Sequence, residues 1–284
     1  MSIDLNTISK LADLQSLRSK WRHNNQTIAL VPTMGALHKG HLSLVKLART
    51  VANKVIVSVF VNPKQFGQDE DLDQYPRDLS ADLDKLKTIG VDLVYAPDAD
   101  QIYPEGFSTN ISVAGISEGL CGASRPHFFG GVATVVTKLL LHCAPDIAIF
   151  GEKDYQQLLV IKRLVTDLDL PVEVIGGPIV RESDGLALSS RNIYLSQKDR
   201  QTAPLLHKAL LDTRAQLFKG APMITAAQQP SDHLINAGFK LDYFELRDAH
   251  SLAPLHQYDG KPARLLIATT LGRTRLIDNI AIIG

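Results

Sequence analysis

The chain has 284 residues but only two cysteines, Cys121 and Cys143. They offer neither a metal-ligand spacing nor a disulfide framework. Both read as small buried hydrophobes, which points to a reducing, cytoplasmic setting. Nowhere do ~20 apolar residues run together, so no membrane span is expected. The opening stretch MSIDLNTISKLADLQSLRSKW is broken by acidic and polar residues throughout, unlike a signal peptide. Its Ile8, Leu11, Leu14 and Leu17 instead mark one face of a helix. An excess of either charge is also missing, since 30 Lys and Arg balance 30 Asp and Glu. Proteins that live on a nucleic-acid backbone ordinarily carry a basic surplus. Tight tRNA or DNA binding is therefore disfavoured. Internal repeats and low-complexity tracts are absent too.

What is present is the ordinary globular mixture, 45% hydrophobic and 21% charged. It can build a core without staples, in one large or two modest domains at roughly 150 residues each. Short β-branched runs alternate with helical patterns through the first two thirds. Strands are expected at 27–33, 54–61, 91–97, 146–151 and around 172–180. Helices are expected near 40–52, 79–90, 131–144 and 155–168. The run KVIVSVFV (54–61) is apolar almost throughout, as a strand covered on both faces should be. Such alternation predicts an α/β class with a doubly wound, Rossmann-like parallel sheet over residues 1–179. From about residue 180 the pattern changes. A helical segment near 197–218, a Pro/Gln-rich spacer at 221–232, and strands at 239–248 and 263–282 predict a smaller C-terminal α+β domain, 180–284, with an antiparallel sheet. A turn at Leu271-Gly272 would join the last two strands.

In doubly wound folds ligands gather at the carboxyl ends of strands, and four unusual segments fall there. The first, VPTMGALHKGH (31–41), ends a strand and opens a helix. Gly35 and Gly40 permit a tight turn and close approach of a ligand. A helix start offers unpaired N–H groups and a positive dipole end, suited to phosphate. His38 and His41, three residues apart, can face one phosphate and donate to it. The bland alternative is a surface turn with incidental histidines, but paired histidines flanked by glycines favour function. The second segment is GLALSSRN (185–192), where Ser189 and Ser190 supply hydroxyls and Arg191 a forked cation. Its competing reading is a plain N-cap. In the third, FGEKDYQQL (150–158), Lys153 supplies a positive charge at a strand end, Asp154 is placed to cap the next helix, and Gln157 lies one turn in. The fourth, FVNPKQFG (60–67), carries Asn62 and Gln65, neutral amides suited to a small polar ligand. Turn chemistry at Pro63 competes for Asn62.

The H-x-G-H spacing after a strand resembles that of nucleotidyltransferases and class I adenylating enzymes. Taken with YPRDLSADL, GVATVVTKL, FGEKDYQQL and the REXDGLALSSRN pattern (Ser183 at X), the four segments resemble the pantothenate synthetase family over most of residues 30–195. The last ninety residues agree in character only, in YFELRD and RLLIATTLGRTRLIDN. The resemblance implies ATP-dependent joining of (R)-pantoate to β-alanine through a pantoyl adenylate, releasing pyrophosphate and AMP. It implies an ATP cradle of Met34, Gly35, Ala36, Leu37, His38, Lys39, Gly40 and His41. A second nucleotide stretch is Gly151, Glu152, Lys153 and Asp154, completed by Val180, Leu188, Ser189, Ser190 and Arg191. Gln65 and Gln157 would hold pantoate with Asn62 nearby, Gln65 adjoining β-alanine as well.

On this reading His38, His41, Lys153 and Arg191 are the catalytic groups, stabilising charge on the departing pyrophosphate. His41 acts electrostatically before it acts as a general acid. Magnesium should bridge the phosphates. Asp82 is a candidate to help hold it, against the alternative of a solvated helix position. The resemblance further implies a homodimer and small-molecule substrates, with neither nucleic acid nor membrane as partner. The sequence departs from the family at RPHFFGGV (125–132), where R-P-G-H-F-x-G-V is usual. Phe128 replaces a histidine and His127 a glycine, and Arg125 stays a candidate phosphate contact. A simple nucleotidyltransferase competes, but would not need the amides Asn62, Gln65 and Gln157.

Overall fold

The structure is a computed structural model that describes residues 5–67 and 71–283. The first four residues of the opening stretch lie outside the described residues. In chain order the elements begin β1 (Thr7–Ile8), α1 (Leu11–His23), β2 (Ile28–Thr33), α2 (Lys39–Val51) and β3 (Lys54–Val59). After a 3-10 turn at Pro63–Gln65 come α3 (Leu79–Lys87), β4 (Leu93–Tyr95), α4 (Ala99–Ile102), α5 (Leu120–Ser124) and α6 (Phe128–Cys143). Then follow β5 (Ile147–Gly151), a 3-10 turn at Glu152–Asp154, α7 (Tyr155–Asp167) and β6 (Glu173–Gly177). The remainder holds a 3-10 turn at Ser190–Tyr194, α8 (Gln197–Thr202), α9 (Leu205–Leu217), α10 (Met223–Asn236), β7 (Phe239–Asp248), β8 (Pro254–Leu255), β9 (Ala263–Leu271) and β10 (Thr274–Ile282). The chain divides into two compact units. One comprises Met1–Glu118, Arg125–Glu152 and Gln157–Pro178; the other comprises Gly119–Ser124, Lys153–Gln156 and Ile179–Gly284. No helix among the described residues is long and apolar enough to cross a membrane.

The first unit is built on a parallel sheet of order β1-β4-β3-β2-β5-β6. The doubly wound expectation is therefore met, with two-residue β1 added at the edge. Continuous apolar runs in β2 and β3 bury Ile28 to Val31 and Val55 to Val57 almost completely, as strands covered on both faces must. On one face Leu44, Val45 and Ala48 of α2 and Leu86 of α3 pack against Ala29, Val31, Val57 and Val94.

The strand order turns back at β2, and there the sheet opens. β2 pairs with β3 through to Thr33↔Val59, but with β5 only at Ala29 and Leu30. The Ile28 carbonyl bonds toward β5 and the Thr33 carbonyl toward β3, so by alternation the backbone of Pro32 faces β5. Proline has no N–H to give. The ladder ends there, at the switch point where such folds bind ligands.

The second unit carries an antiparallel sheet of order β10-β9-β7-β8. Leu271 pairs with Thr274, so the joining turn is centred on Gly272-Arg273, one residue beyond the expected place, with Gly272 at φ +58°. The predicted helical segment at 197–218 breaks into α8 and α9 at Pro204. The expected spacer at 221–232 is instead most of α10, with Pro230 inside it. Proline in a helix interior forfeits one hydrogen bond. Burial outweighs that loss, because Met223, Ala226, Ala227 and Leu234 seat in the core with Leu206, Leu210 and Leu265. β6 likewise stops at Gly177, before Pro178, rather than continuing to Val180.

One buried pair makes this fold sensitive to acid. The Tyr95 hydroxyl and His142 Nδ1 lie 2.9 Å apart. Burial, with Lys138 and Arg18 nearby, holds the His142 pKa at about 4 against the ordinary 6.5. The folded state thus favours neutral imidazole. Above pH 6.5 neither state protonates, so nothing is lost; as pH falls from 6.5 toward 4, only the unfolded chain gains the proton. Urea denaturation should show stability falling across that window, and His142→Gln should flatten the fall. A wild-type profile level over the same window would contradict this.

Candidate active site

The loop after β2 is built around its own backbone groups. Gly35 has φ +79° and Ala36 φ +50°, a left-handed pair that turns the chain sharply into α2. His38 caps α2: its Nδ1 accepts from the Gly40 N–H at 3.1 Å. His41 answers in reverse, its Nδ1 accepting from the His38 N–H at 3.3 Å. The two imidazoles therefore form a capping box of the kind usually made by serine and glutamate. An imidazole whose Nδ1 accepts carries its proton on Nε2, so both rings present an Nε2–H. Their centroids lie 4.1 Å apart. Gly40 is an ordinary helical residue and contributes through its N–H.

Several N–H groups at and just before the helix start are already engaged within the loop. The Gly35 N–H is directed to Thr33 Oγ1 at 3.2 Å and the Leu37 N–H to Asp82 Oδ1 at 2.8 Å. Those of His38 and Gly40 go to the two rings.

Asp82 holds this loop and is not a solvated helix position. It is 1% exposed. Besides Leu37 it receives Lys85 Nζ at 3.3 Å on the same oxygen. Its Oδ2 has no hydrogen-bond partner and lies 3.0 Å from where a Cβ on Gly35 would stand. No group of three or more His, Cys, Asp or Glu able to hold a metal occurs among the described residues. A cavity of about 450 Å³ beside the loop is lined by Met34, Gly35, Phe60, Asp78, Asp82 and Pro97.

Asn62 begins the 3-10 turn after β3, and every hydrogen-bonding position of its amide is engaged. Oδ1 accepts from the Lys64 N–H at 3.3 Å and the Tyr103 hydroxyl at 2.7 Å. Nδ2 donates to Gln65 Oε1 and to the Gly131 carbonyl, both at 3.1 Å. It is 1% exposed. The turn-chemistry alternative for Asn62 is thus realised, and one of these four bonds ties it to Gln65. Gln65 Nε2 faces Met34 Sδ at 2.8 Å, a weak acceptor. The turn is braced from α6, where a Cβ on Gly131 would come within 2.1 Å of the Lys64 carbonyl oxygen. Only glycine allows that approach. Arg125, expected near phosphate, donates to the Gln65 carbonyl at 3.0 Å and stacks on Phe128, 3.8 Å from its centroid. The departure RPHFFGGV therefore gives Arg125 an aromatic platform.

In the second unit the Lys153 carbonyl accepts from Asn279 Nδ2 at 2.9 Å, and Lys153 Nζ lies 3.9 Å from Asp154 Oδ2. Gln156 is 4% exposed; it accepts from the Cys121 N–H and donates to the Gly119 carbonyl, fixing that loop. Val180 and Leu188 are brought together by a 3.0 Å bond from Leu188 N–H to the Val180 carbonyl. Ser189 caps the turn at Ser190–Tyr194, its Oγ accepting from the Arg191 N–H at 3.3 Å. The capping alternative is thus realised for Ser189. Arg181 anchors this segment through a two-pronged pair with buried Asp278 at 2.6 and 2.9 Å. In the first unit Gly151 ends β5, Glu152 follows it, and Gln157 is half-buried in α7.

Sequence reading did not find the roles of Tyr103, Gly131 and Gln156, and offered Asp82 as a metal candidate or a solvated helix position, not as the buried acceptor for Leu37. The adjacent glycines in FFGGV were the one available signal, since a glycine pair entering a helix marks close backbone approach.

A family model described as pantoate-beta-alanine ligase matches residues 6–281. A pantothenate synthetase from Paramagnetospirillum magneticum is 51% identical over 283 residues, covering 99% of both chains. A Thermus thermophilus crystal structure described as a pantothenate synthetase superposes with a TM-score of 0.93 at 45% identity, covering 99% of this chain and 100% of that one. A Francisella tularensis pantoate-beta-alanine ligase structure, described as complexed with β,γ-ATP and β-alanine, gives 0.83 at 34% identity over 97% of each chain.

Asp82→Ala should leave the Leu37 N–H buried without a partner and destabilise the first unit by about 1–3 kcal/mol. Asp82→Asn, which keeps an acceptor oxygen, should lose less. Urea denaturation of both variants checks this, and equal losses would refute the role given to the Leu37 bond.

Proposed function

Since the chain belongs to the pantoate–β-alanine ligase family, we propose that it joins (R)-pantoate to β-alanine with ATP as the activating substrate. The observation that carries the reading is the pair of imidazoles capping α2, each with Nδ1 accepting from a backbone N–H and its proton therefore on Nε2. In the first half-reaction a pantoate carboxylate oxygen attacks the α-phosphorus, and the bond to the bridging oxygen breaks to release pyrophosphate. In the second, the β-alanine amine attacks the acyl carbon of the pantoyl adenylate, loses a proton, and AMP departs. Negative charge accumulates on the phosphate oxygens in the first step. Fixed donors and cations stabilise it without reorganising.

His38, His41, Lys153 and Arg191 are the groups assigned to that charge, with the proton of each imidazole kept on Nε2. That tautomer supports His41 as an electrostatic stabiliser before a general acid. Met34 to Leu37, Lys39 and Gly40 would shape the nucleotide site from one side. Gly151, Glu152, Asp154, Val180, Leu188, Ser189 and Ser190 are assigned to the rest of it. Gln65 and Gln157 are assigned to pantoate, and Gln65 also to β-alanine. Magnesium is proposed to enter as the ATP complex, held by the phosphates. Asp82 does not fit it, because one oxygen is engaged by Leu37 and Lys85 and the other is enclosed beneath Gly35. A homodimer and a cytoplasmic location are proposed from the family resemblance and from two cysteines that remain free thiols.

Incubation with ATP, magnesium, pantoate and β-alanine should yield AMP, and omitting any one substrate should abolish it. Exchange of pyrophosphate into ATP should require pantoate but not β-alanine. Exchange without pantoate would instead mark a nucleotidyltransferase. Lys153→Ala should slow adenylate formation about 10²–10³-fold, the loss expected for one charge-stabilising donor. Single-turnover rates equal to wild type would remove Lys153 from the catalytic set.

A further inference from the structure

The buried amide network of the first unit has a polarity, and that polarity reaches Gln65. Two contacts of Asn62 admit only one orientation, because the Lys64 N–H can only donate and the Gly131 carbonyl can only accept. Oδ1 therefore faces Lys64, and Nδ2 faces Gly131. The second proton on Nδ2 goes to Gln65, so the atom of Gln65 facing Asn62 must be the oxygen. The Gln65 amide is left with its NH2 outward. Its neighbour there, Met34 Sδ, is readily exchanged for a ligand oxygen.

The remaining lone-pair position on Asn62 Oδ1 is taken by the Tyr103 hydroxyl at 2.7 Å, the shortest bond of the set. The ring behind that hydroxyl is fixed on several sides. Phe107 packs edge-on at 5.1 Å, Phe60 lies at 6.2 Å, and Lys64 Nζ sits 4.9 Å over its face. The oxygen therefore has little freedom to leave Asn62.

From this geometry we infer that Tyr103 is a positioning residue: its hydroxyl locks the Asn62 amide, which in turn holds Gln65 as a hydrogen-bond donor toward an acceptor oxygen of the acid substrate. The inference rests on the pantoate assignment of Gln65 made above and adds a residue and a direction to it. Burial pushes the Tyr103 pKa up to about 12, so the hydroxyl keeps its proton and its donor role throughout the neutral range.

Tyr103→Phe retains the ring and its packing while removing the donor. It should raise KM for pantoate about 10-fold, the worth of one hydrogen bond, at unchanged KM for ATP. Asn62→Asp provides a second arm, since a carboxylate beside Gln65 Oε1 would turn the Gln65 amide over. It should raise KM for pantoate further. A pantoate KM that stays at the wild-type value in both variants overturns the inference, as does a loss shared equally with ATP, which a merely structural role would give. Should wild-type enzyme form AMP without pantoate, the functional reading fails instead, and the two failures are told apart by that control.

Discussion

Two backbone N–H groups at the start of α2 close on imidazole nitrogens, and the chemistry proposed for this chain depends on that closure. A serine or aspartate would cap the helix equally well. Using histidine at both positions makes the cap itself the source of two oriented ring donors. On the proposed function, local folding and the presentation of ring donors rest on the same set of bonds. The cap cannot form without turning each Nε2–H away from the helix, and the rings cannot rotate freely without uncapping it.

The same economy recurs in the layers behind the loop. Asp82 takes the Leu37 N–H, Asn62 takes the Lys64 N–H, and Gly131 lets α6 press onto the backbone at Lys64 and Gln65. Burying a polar group costs free energy unless it is hydrogen-bonded, and here the bonds made by Asp82 Oδ1 and Asn62 fix the loops that follow β2 and β3. Pro32 adds a backbone contribution by ending the β2–β5 ladder early, where the strand order reverses. Rigid elements thus carry the candidate site on their ends, as expected in a doubly wound sheet.

Much of this was legible in the sequence, for identifiable reasons. The β2 and β3 runs announced themselves because a strand covered on both faces is apolar at almost every position. The H-x-G-H segment announced itself because glycines and histidines are improbable companions at a strand end. α10 did not, since Pro230 and the glutamines around it look like a spacer until the core that receives Met223 and Leu234 is known. The supporting residues were hidden for a different reason. Leu37 and Asp82 are 45 residues apart, Tyr103 and Asn62 41, and Asn62 and Gly131 69. No local pattern carries such pairings. Asn62 was ambiguous in a simpler way: an amide at a strand end reads equally as a ligand contact or as a cap, and its cap bonds show only in the folded chain.

The central claim is a statement about two protons, and nitrogen NMR reads it directly. With the imidazole nitrogens labelled in the ligand-free protein, His38 and His41 should both show the neutral tautomer protonated on Nε2, with unprotonated Nδ1 coupled to the backbone N–H of Gly40 and His38 respectively. A dominant Nδ1–H form in either ring would contradict the cap as described and, with it, the presentation of paired donors on which the account rests.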